Sequence, residues 1–431
     1  MSKEIRVVVT GMGAISPLGN NVEDTWKALI SGKSGIKRVS KEDESGFRID
    51  GVNSEVDIAG VVENFEPADF LSFKELKKAH MSAIFSYAAS VEALKDAGLF
   101  ADSLTNIDPE RIGARIGTGV GGGSEIAEVE DVIINKGDQK ISPFSMLRLL
   151  SERVVTVSSM KLGIKGPISA VVAACATGSI AIGDAVDKIR LGKADAMLAG
   201  GTEAAIHRVG VGSFHAMHAL STDNENPEFA SRPFNENVSG FVMAEGAGIL
   251  VLESLDHVIA RGAENQIYAE VLGNADTSDA YHDTQPSGDG AVRAMRIAMK
   301  ESGINPSEVN YINAHGTSTP LGDEKELEAI VRVFGDELKH ISISSTKSAT
   351  GHLLGAAGGL EAVICVKAIC TDLVPPTLNL ENPIVAGLDL VPNKYKKRIV
   401  NIAMSNSFGF GGINSVLIFG KYKGGSNGKV A

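Results

Sequence analysis

The residues best suited to chemistry are a cysteine, two histidines and a lysine, each set in a turn of small residues. Cys175 stands in Val171-Val172-Ala173-Ala174-Cys175-Ala176-Thr177-Gly178, where a β-branched run gives way to small side chains. His315 lies in His315-Gly316-Thr317-Ser318-Thr319-Pro320, and Lys347 and His352 share Lys347-Ser348-Ala349-Thr350-Gly351-His352. A fourth turn reads Ser405-Asn406-Ser407-Phe408-Gly409-Phe410-Gly411-Gly412. A free thiol has a pKa of roughly 8.5, and the unpaired N–H groups of a helix start favour the thiolate that attacks a carbonyl. Those N–H groups can afterwards hold an oxyanion. Taken singly, each residue has a plain alternative: free cysteines are commonly small core residues, lone histidines pack or face water, and a lysine is a solvated charge.

The elements that must position these groups share one plan. After Cys175, Ile180, Ile182, Val186 and Ile189 recur at helical spacing, so the cysteine falls near a strand-to-helix turn. The helix is rich in Ala, Gly and Ser and keeps its charges to Asp184, Asp187, Lys188 and Arg190, which predicts a buried central helix. Apolar strands over 309–314, 341–345 and 399–404 run into the other three turns, and the last returns as a strand over 415–419. Asp323 is the expected cap of the helix after Thr319. Ligands of α/β proteins gather at strand ends, so the four turns have the means to meet. Earlier in the chain, 5–10 reads as a strand, 33–68 as a surface excursion, and 73–94 as one long helix, basic at Lys74, Lys77 and Lys78.

Gly11-Met12-Gly13-Ala14-Ile15-Ser16 lacks the third glycine of a dinucleotide fingerprint. Gly117, Gly119 and Gly122 do satisfy G-x-G-x-x-G, but no acidic ribose partner follows at a convincing distance. A tight turn beside an active site accounts for these glycines, and an NAD-dependent oxidoreductase is the alternative from a different class. His207, His215 and His218 have no cysteine or spaced carboxylate to complete a metal site, so no metal is expected.

The chain has 431 residues, enough for a large core, and its three cysteines, Cys175, Cys365 and Cys370, suit a reducing compartment rather than a disulfide framework. Residues 1–6 lead directly into the first strand with no room for a signal peptide, and no apolar run is expected to span a bilayer. The expected location is cytoplasmic. A net charge of −12 argues against nucleic acid and anionic membrane as partners, and an acidic protein partner would need a local basic patch.

Taken together, the four turns make the chain resemble the β-ketoacyl-[acyl-carrier-protein] synthases, the condensing enzymes of fatty-acid synthesis, and within them the elongation-cycle enzymes. The likeness runs from Val9 to Phe419 and rests on Ala174-Cys175-Ala176-Thr177-Gly178, Asn313 to Thr319, Lys347 to Gly358 and Ser405 to Gly412. It implies an α/β, thiolase-like, five-layered αβαβα fold of two similar halves, 1–260 carrying Cys175 and 261–431 carrying the remaining groups, usually as a homodimer. It implies a decarboxylative condensation in which Cys175 takes an acyl chain from acyl carrier protein and His315 and His352 serve the malonyl step. Lys347 would support the histidines, Phe408 would gate the pocket, and the N–H groups of Cys175 and Phe408 would form the oxyanion hole. Thr317 and Thr319 match positions that bind the pantetheine arm, which the carrier supplies, so no cofactor is expected. A ketosynthase of a polyketide pathway shares this pattern. Glu361 is left open between orienting water, holding an ion near Asn313, and simple packing.

The chain departs from the family pattern in places. Ala173 replaces a usual threonine, and Ser145 stands where a phenylalanine is common, which with Val120 implies a roomier acyl pocket. Asn237-Val238-Ser239-Gly240 replaces a usual Arg-Asp-Gly run. Asp223 replaces an arginine that often helps bind the carrier, leaving Lys74, Lys77 and Lys78 as the expected docking patch.

Overall fold

The computed structural model describes residues 5–39, 55–100 and 107–424. Ten strands form one hydrogen-bonded sheet: β1 (Val7–Ile15), β2 (Ile112–Gly117), β3 (Ile168–Ser169), β4 (Ala196–Glu203), β5 (Gly246–Ser254), β6 (Ala269–Ser278), β7 (Tyr311–Asn313), β8 (Ser342–Ser344), β9 (Ile402–Gly409) and β10 (Ile413–Gly420). Their spatial order is β8-β7-β9-β10-β6-β1-β5-β4-β2-β3. From the centre outward, the first half reads β1-β5-β4-β2-β3 and the second β6-β10-β9-β7-β8, the same sequence of moves. The directions match as well: in each half the two outer pairings are parallel and the two inner ones antiparallel. The duplication that the sequence hides is therefore written in the topology. β1 and β6 join the halves through an antiparallel register of Val7–Val9 with Val271–Ala269.

The halves fold over two central helices, Thr177–Arg190 and Ala357–Thr371, which touch each other and strands of both halves. The Met81–Asp96 helix covers the outer face of the first half, and the Asp289–Ser302 and Pro320–Phe334 helices cover the second, giving five layers of a thiolase-like fold. Small residues make this stacking possible. A Cβ on Gly11 or Gly13 would lie 2.1 and 1.9 Å from carbonyl oxygens of the Met81–Asp96 helix, so these glycines admit a helix rather than a pyrophosphate. Between the central helices, a Cβ on Gly178 would come 2.5 Å from the Gly359 nitrogen.

Several local expectations change. The helix expected over 73–94 is broken: Phe73–Leu76 forms one turn with a Ser72/Glu75 capping box, and Met81–Asp96 starts afresh. Thr319 holds the N-cap position of the helix that follows it, without a side-chain capping hydrogen bond, and Asp323 lies inside the first turn rather than at the cap. Of the expected surface excursion, residues 40–54 lie outside the described residues, while Ile36–Arg38 pairs with Ile58–Gly60 and buries Ile36, Ile58 and Ala59. One stretch, Leu354–Thr371, is long and apolar enough to cross a bilayer, contrary to expectation, but 89% of it is buried inside the fold.

Candidate active site

Cys175 sits in a three-residue 3-10 turn, Ala174–Ala176, that opens the first central helix. Ala174 is held at φ +48°, where only glycine is comfortable. Thr177 stabilises that bend: its hydroxyl accepts the Ala173 N–H at 2.8 Å and donates to the Ala174 carbonyl at 2.7 Å. The backbone strain thus presents the thiol at the end of the sheet rather than into the helix packing.

The histidine turns are held by buried carboxylates. Glu326, on the Pro320–Phe334 helix, accepts the His315 and Gly316 N–H groups at 2.8 and 2.6 Å, and the Asn406 amide of β9 at 3.2 Å. Asp323 accepts the Ser318 and Phe234 N–H groups at 3.1 and 2.7 Å. His352 donates its backbone N–H to Val242 O at 2.7 Å. Its Nδ1 accepts the Leu354 N–H at 3.3 Å, which leaves the ring proton on Nε2. Lys347, fully buried, pairs its Nζ with Glu361, while the other Glu361 oxygen has no partner.

One cavity of about 450 Å³ collects Cys175, His315, His352, Phe408, Thr317 and Thr319. The His315 and His352 rings meet edge to face with centroids 5.3 Å apart, and the Phe408 ring lies 5.8 Å from His315. Phe241 packs edge-on to His352 at 5.3 Å, and Thr317 and Thr319 share a hydrogen bond of 3.0 Å. Lys347 lies behind this wall. Val120 and Ser145 do not line the cavity: Val120 is partly exposed and Ser145 buried elsewhere. Lys74 and Lys77 are exposed and Lys78 half-buried; the Lys77 and Lys78 ammonium groups sit over the Phe73 and Phe144 rings at 4.3 and 5.1 Å.

Burial sets the protonation states. It pushes the Cys175 thiol up to about 12, with Lys347 opposing the shift and Glu203 and Glu361 adding to it. The thiolate expected from a helix start is therefore not the resting form, because desolvation outweighs the helix end. Both imidazoles are held well below the usual histidine value, first by burial and then by Lys347, so both are neutral near pH 7. Burial also pushes the Glu361 carboxyl up, against the pull of Lys347.

One expectation is corrected at this end of the sheet, and the alternative of a dinucleotide site is not supported. The amide facing the Cys175 sulfur is that of Phe410, not Phe408, because β9 extends through Gly409, pairing Phe408 with Asn414, and only beyond it does the turn bring an amide back to the thiol. The Gly117–Gly122 loop has no room for a dinucleotide phosphate. Its Gly119 and Val120 N–H groups already bind the buried Glu203 carboxylate at 2.8 and 3.2 Å. Residue patterns had not pointed to Glu203, Glu326 or Phe410. A glutamate closing the apolar run 196–202 was the available signal for Glu203.

Family comparisons agree with this geometry. Residues 4–257 match the β-ketoacyl synthase N-terminal domain and residues 268–381 its C-terminal domain. The 3-oxoacyl-[acyl-carrier-protein] synthase 2 of Synechocystis is 45% identical over 421 residues, covering 97% of this chain and 98% of the relative. Among solved structures, a β-ketoacyl synthase from Burkholderia phymatum superposes with a TM-score of 0.89 at 34% identity, covering 97% of this chain and all of the other. A type II polyketide ketosynthase, solved with its acyl-carrier protein and bound to a hexaketide, gives 0.86 at 34% identity, covering 98% and 100%. With both domain models matched in order and a curated relative aligned end to end, the chain belongs to the β-ketoacyl synthase family.

Proposed function

We propose that this enzyme extends a Cys175-bound acyl chain by two carbons taken from malonyl-acyl carrier protein, the elongation step of fatty-acid synthesis. The observation that carries the reading is the single cavity holding a thiol beside two neutral imidazoles. In the first half-reaction the Cys175 sulfur attacks the acyl thioester carbonyl. The acyl group moves to Cys175, and the carrier thiol departs with the proton. In the second, malonyl thioester loses carbon dioxide, and the electron pair of the broken bond becomes an enolate. His352 Nε2–H and the His315 ring donate to the enolate oxygen, which needs neutral donors rather than a strong base. The enolate carbon then attacks the Cys175 thioester, whose oxyanion meets the Cys175 and Phe410 N–H groups, and β-ketoacyl carrier leaves as Cys175 regains a proton.

Lys347 supports the histidines by disfavouring their charged forms, Phe408 gates the cavity, and Thr317 and Thr319 receive the pantetheine arm. No cofactor of the enzyme's own enters this scheme. The carrier docks on Lys74, Lys77 and Lys78, an arrangement that fits an acidic partner on an acidic enzyme and should weaken with salt. We further assign halves at 1–260 and 261–431, a homodimer and a cytoplasmic location. A polyketide ketosynthase is the second reading, favoured by the likeness to the hexaketide-bound structure; the higher identity to the elongation enzyme outweighs it.

The test is intact-protein mass after incubation with long-chain acyl carrier protein, followed by malonyl carrier protein. A single Cys175 adduct that disappears as β-ketoacyl product forms is expected. No adduct, or one that persists after the malonyl carrier is added, would overturn the assignment.

A further inference from the structure

Glu203 ends β4 with no exposed surface, and no step above uses it. Its Oε1 accepts the Thr118 hydroxyl at 2.9 Å and the Val120 N–H at 3.2 Å. Its Oε2 accepts the Gly119 N–H at 2.8 Å from the first half and the Gly355 N–H at 3.1 Å from the second. One oxygen therefore bridges the two halves. The contact leaves no space for side chains: a Cβ on either glycine would sit 2.8 Å from Oε2, and one on Gly355 would be 2.3 Å from the Gly119 nitrogen.

Both turns border reacting groups. Gly355 follows Leu354, whose N–H fixes the His352 tautomer. Gly119 lies against the nucleophile turn, where a Cβ would be 3.6 Å from the Ala174 carbonyl. A carboxylate buried this deeply is costly unless its donors stay in place, so the turns cannot part without stranding it.

We propose that Glu203 is a positioning residue for the condensation: its Oε2 clasps the Gly119 turn to the Gly355 turn and so holds Cys175 and the His352 tautomer in one geometry. The inference rests on Cys175 as acyl acceptor and His352 as donor to the enolate.

Glu203→Gln keeps the size of the side chain but gives it one amide nitrogen that cannot accept an N–H. Thr118→Val removes the hydroxyl that donates to Oε1 and accepts the Gly121 N–H at 3.1 Å, and leaves both donors to Oε2 in place. In the full-length enzyme, Glu203→Gln should lower kcat for malonyl-carrier decarboxylation by about tenfold to a hundredfold, with KM within about twofold, as expected of a misplaced catalytic group. Thr118→Val should lower it by about threefold, since the bonds it loses lie on the Oε1 side and the Oε2 bridge between the turns is kept. Selective ¹⁵N-histidine NMR, with His352 assigned through His352→Ala, should show Nε2–H in the wild type and a tautomer mixture in Glu203→Gln. Wild-type kcat with an unchanged His352 signal in the folded Glu203→Gln variant overturns the proposal. So does a loss of rate that disappears on cooling while the tautomer signal stays fixed. Where Glu203→Gln does not fold, wild-type kcat and signal in Thr118→Val overturn it instead. Absence of a Cys175 adduct in the wild type overturns the functional reading, and this inference with it; a normal wild-type adduct confines any failure to Glu203.

Discussion

The two central helices begin in nearly the same way and end up with opposite tasks. In the first half, Ala174 at φ +48° leads into the 3-10 turn Ala174–Ala176 and then Thr177–Arg190; in the second, Leu354 at φ +49° leads into Leu354–Ala356 and then Ala357–Thr371. The residue after the strained position is Cys175 in one and Gly355 in the other. Cys175 displays a sulfur to the cavity, whereas Gly355 has no side chain and gives its N–H to Glu203. A duplicated backbone has thus supplied two helix starts, one kept for covalent chemistry and one converted into a support for the neighbouring histidine. The lesson is that strain at a helix start is a scaffold property here, and chemistry depends on which side chain occupies it.

The comparison can be broken most severely on the nucleophile side. Cys175→Ala should remove the acyl adduct and lower condensation by about 10⁴-fold or more while leaving the second turn intact, as steady-state rates and intact mass will show. On the other side, His352→Ala should leave the adduct in place and slow malonyl decarboxylation by about 10²- to 10³-fold, measured as carbon dioxide release. Gly355→Ala tests whether the second turn tolerates a side chain as the first does. The methyl group meets backbone and carboxylate, so thermal or urea unfolding should show a loss of about 2 kcal/mol. The two sides also differ in their slope with pH. Because burial holds the Cys175 thiol near 12, its iodoacetamide alkylation should rise about tenfold per unit from about pH 7 to 10 without levelling. Decarboxylation should instead stay flat from about pH 6.5 to 8, since imidazoles held below their usual value are already neutral there.

Much of the site was legible because it lies in short sequence runs. Cys175, His315, Lys347, His352 and Phe408 each stand beside glycines at strand ends, and that local grammar survives without coordinates. What was illegible depends on distant residues. The state of the Cys175 thiol follows from burial under several elements, which no local run encodes. Phe408 was read as part of a turn, yet its partner Asn414 keeps it in a strand and hands the thiol-facing amide to Phe410. Glu203 lies 152 positions from Gly355, so their bond leaves no spacing to find. The repeat of fold between the halves leaves no repeat of sequence, because strand order constrains hydrophobic pattern more than residue identity.

The Ala357–Thr371 helix has a consequence for how the chain reaches its native state. It packs on strands of both halves and is apolar around nearly its whole circumference, with 13 of its 15 residues buried. Until it emerges during synthesis, the first half's inner face is covered by Thr177–Arg190 alone, and the Ala357–Thr371 helix itself has no watery face to wait on. Such a segment is sticky while it is uncovered, so the chain must close its core late and over long sequence separations. A fragment ending before residue 357 should therefore collect in aggregates or on chaperones even though every strand of the first half is present.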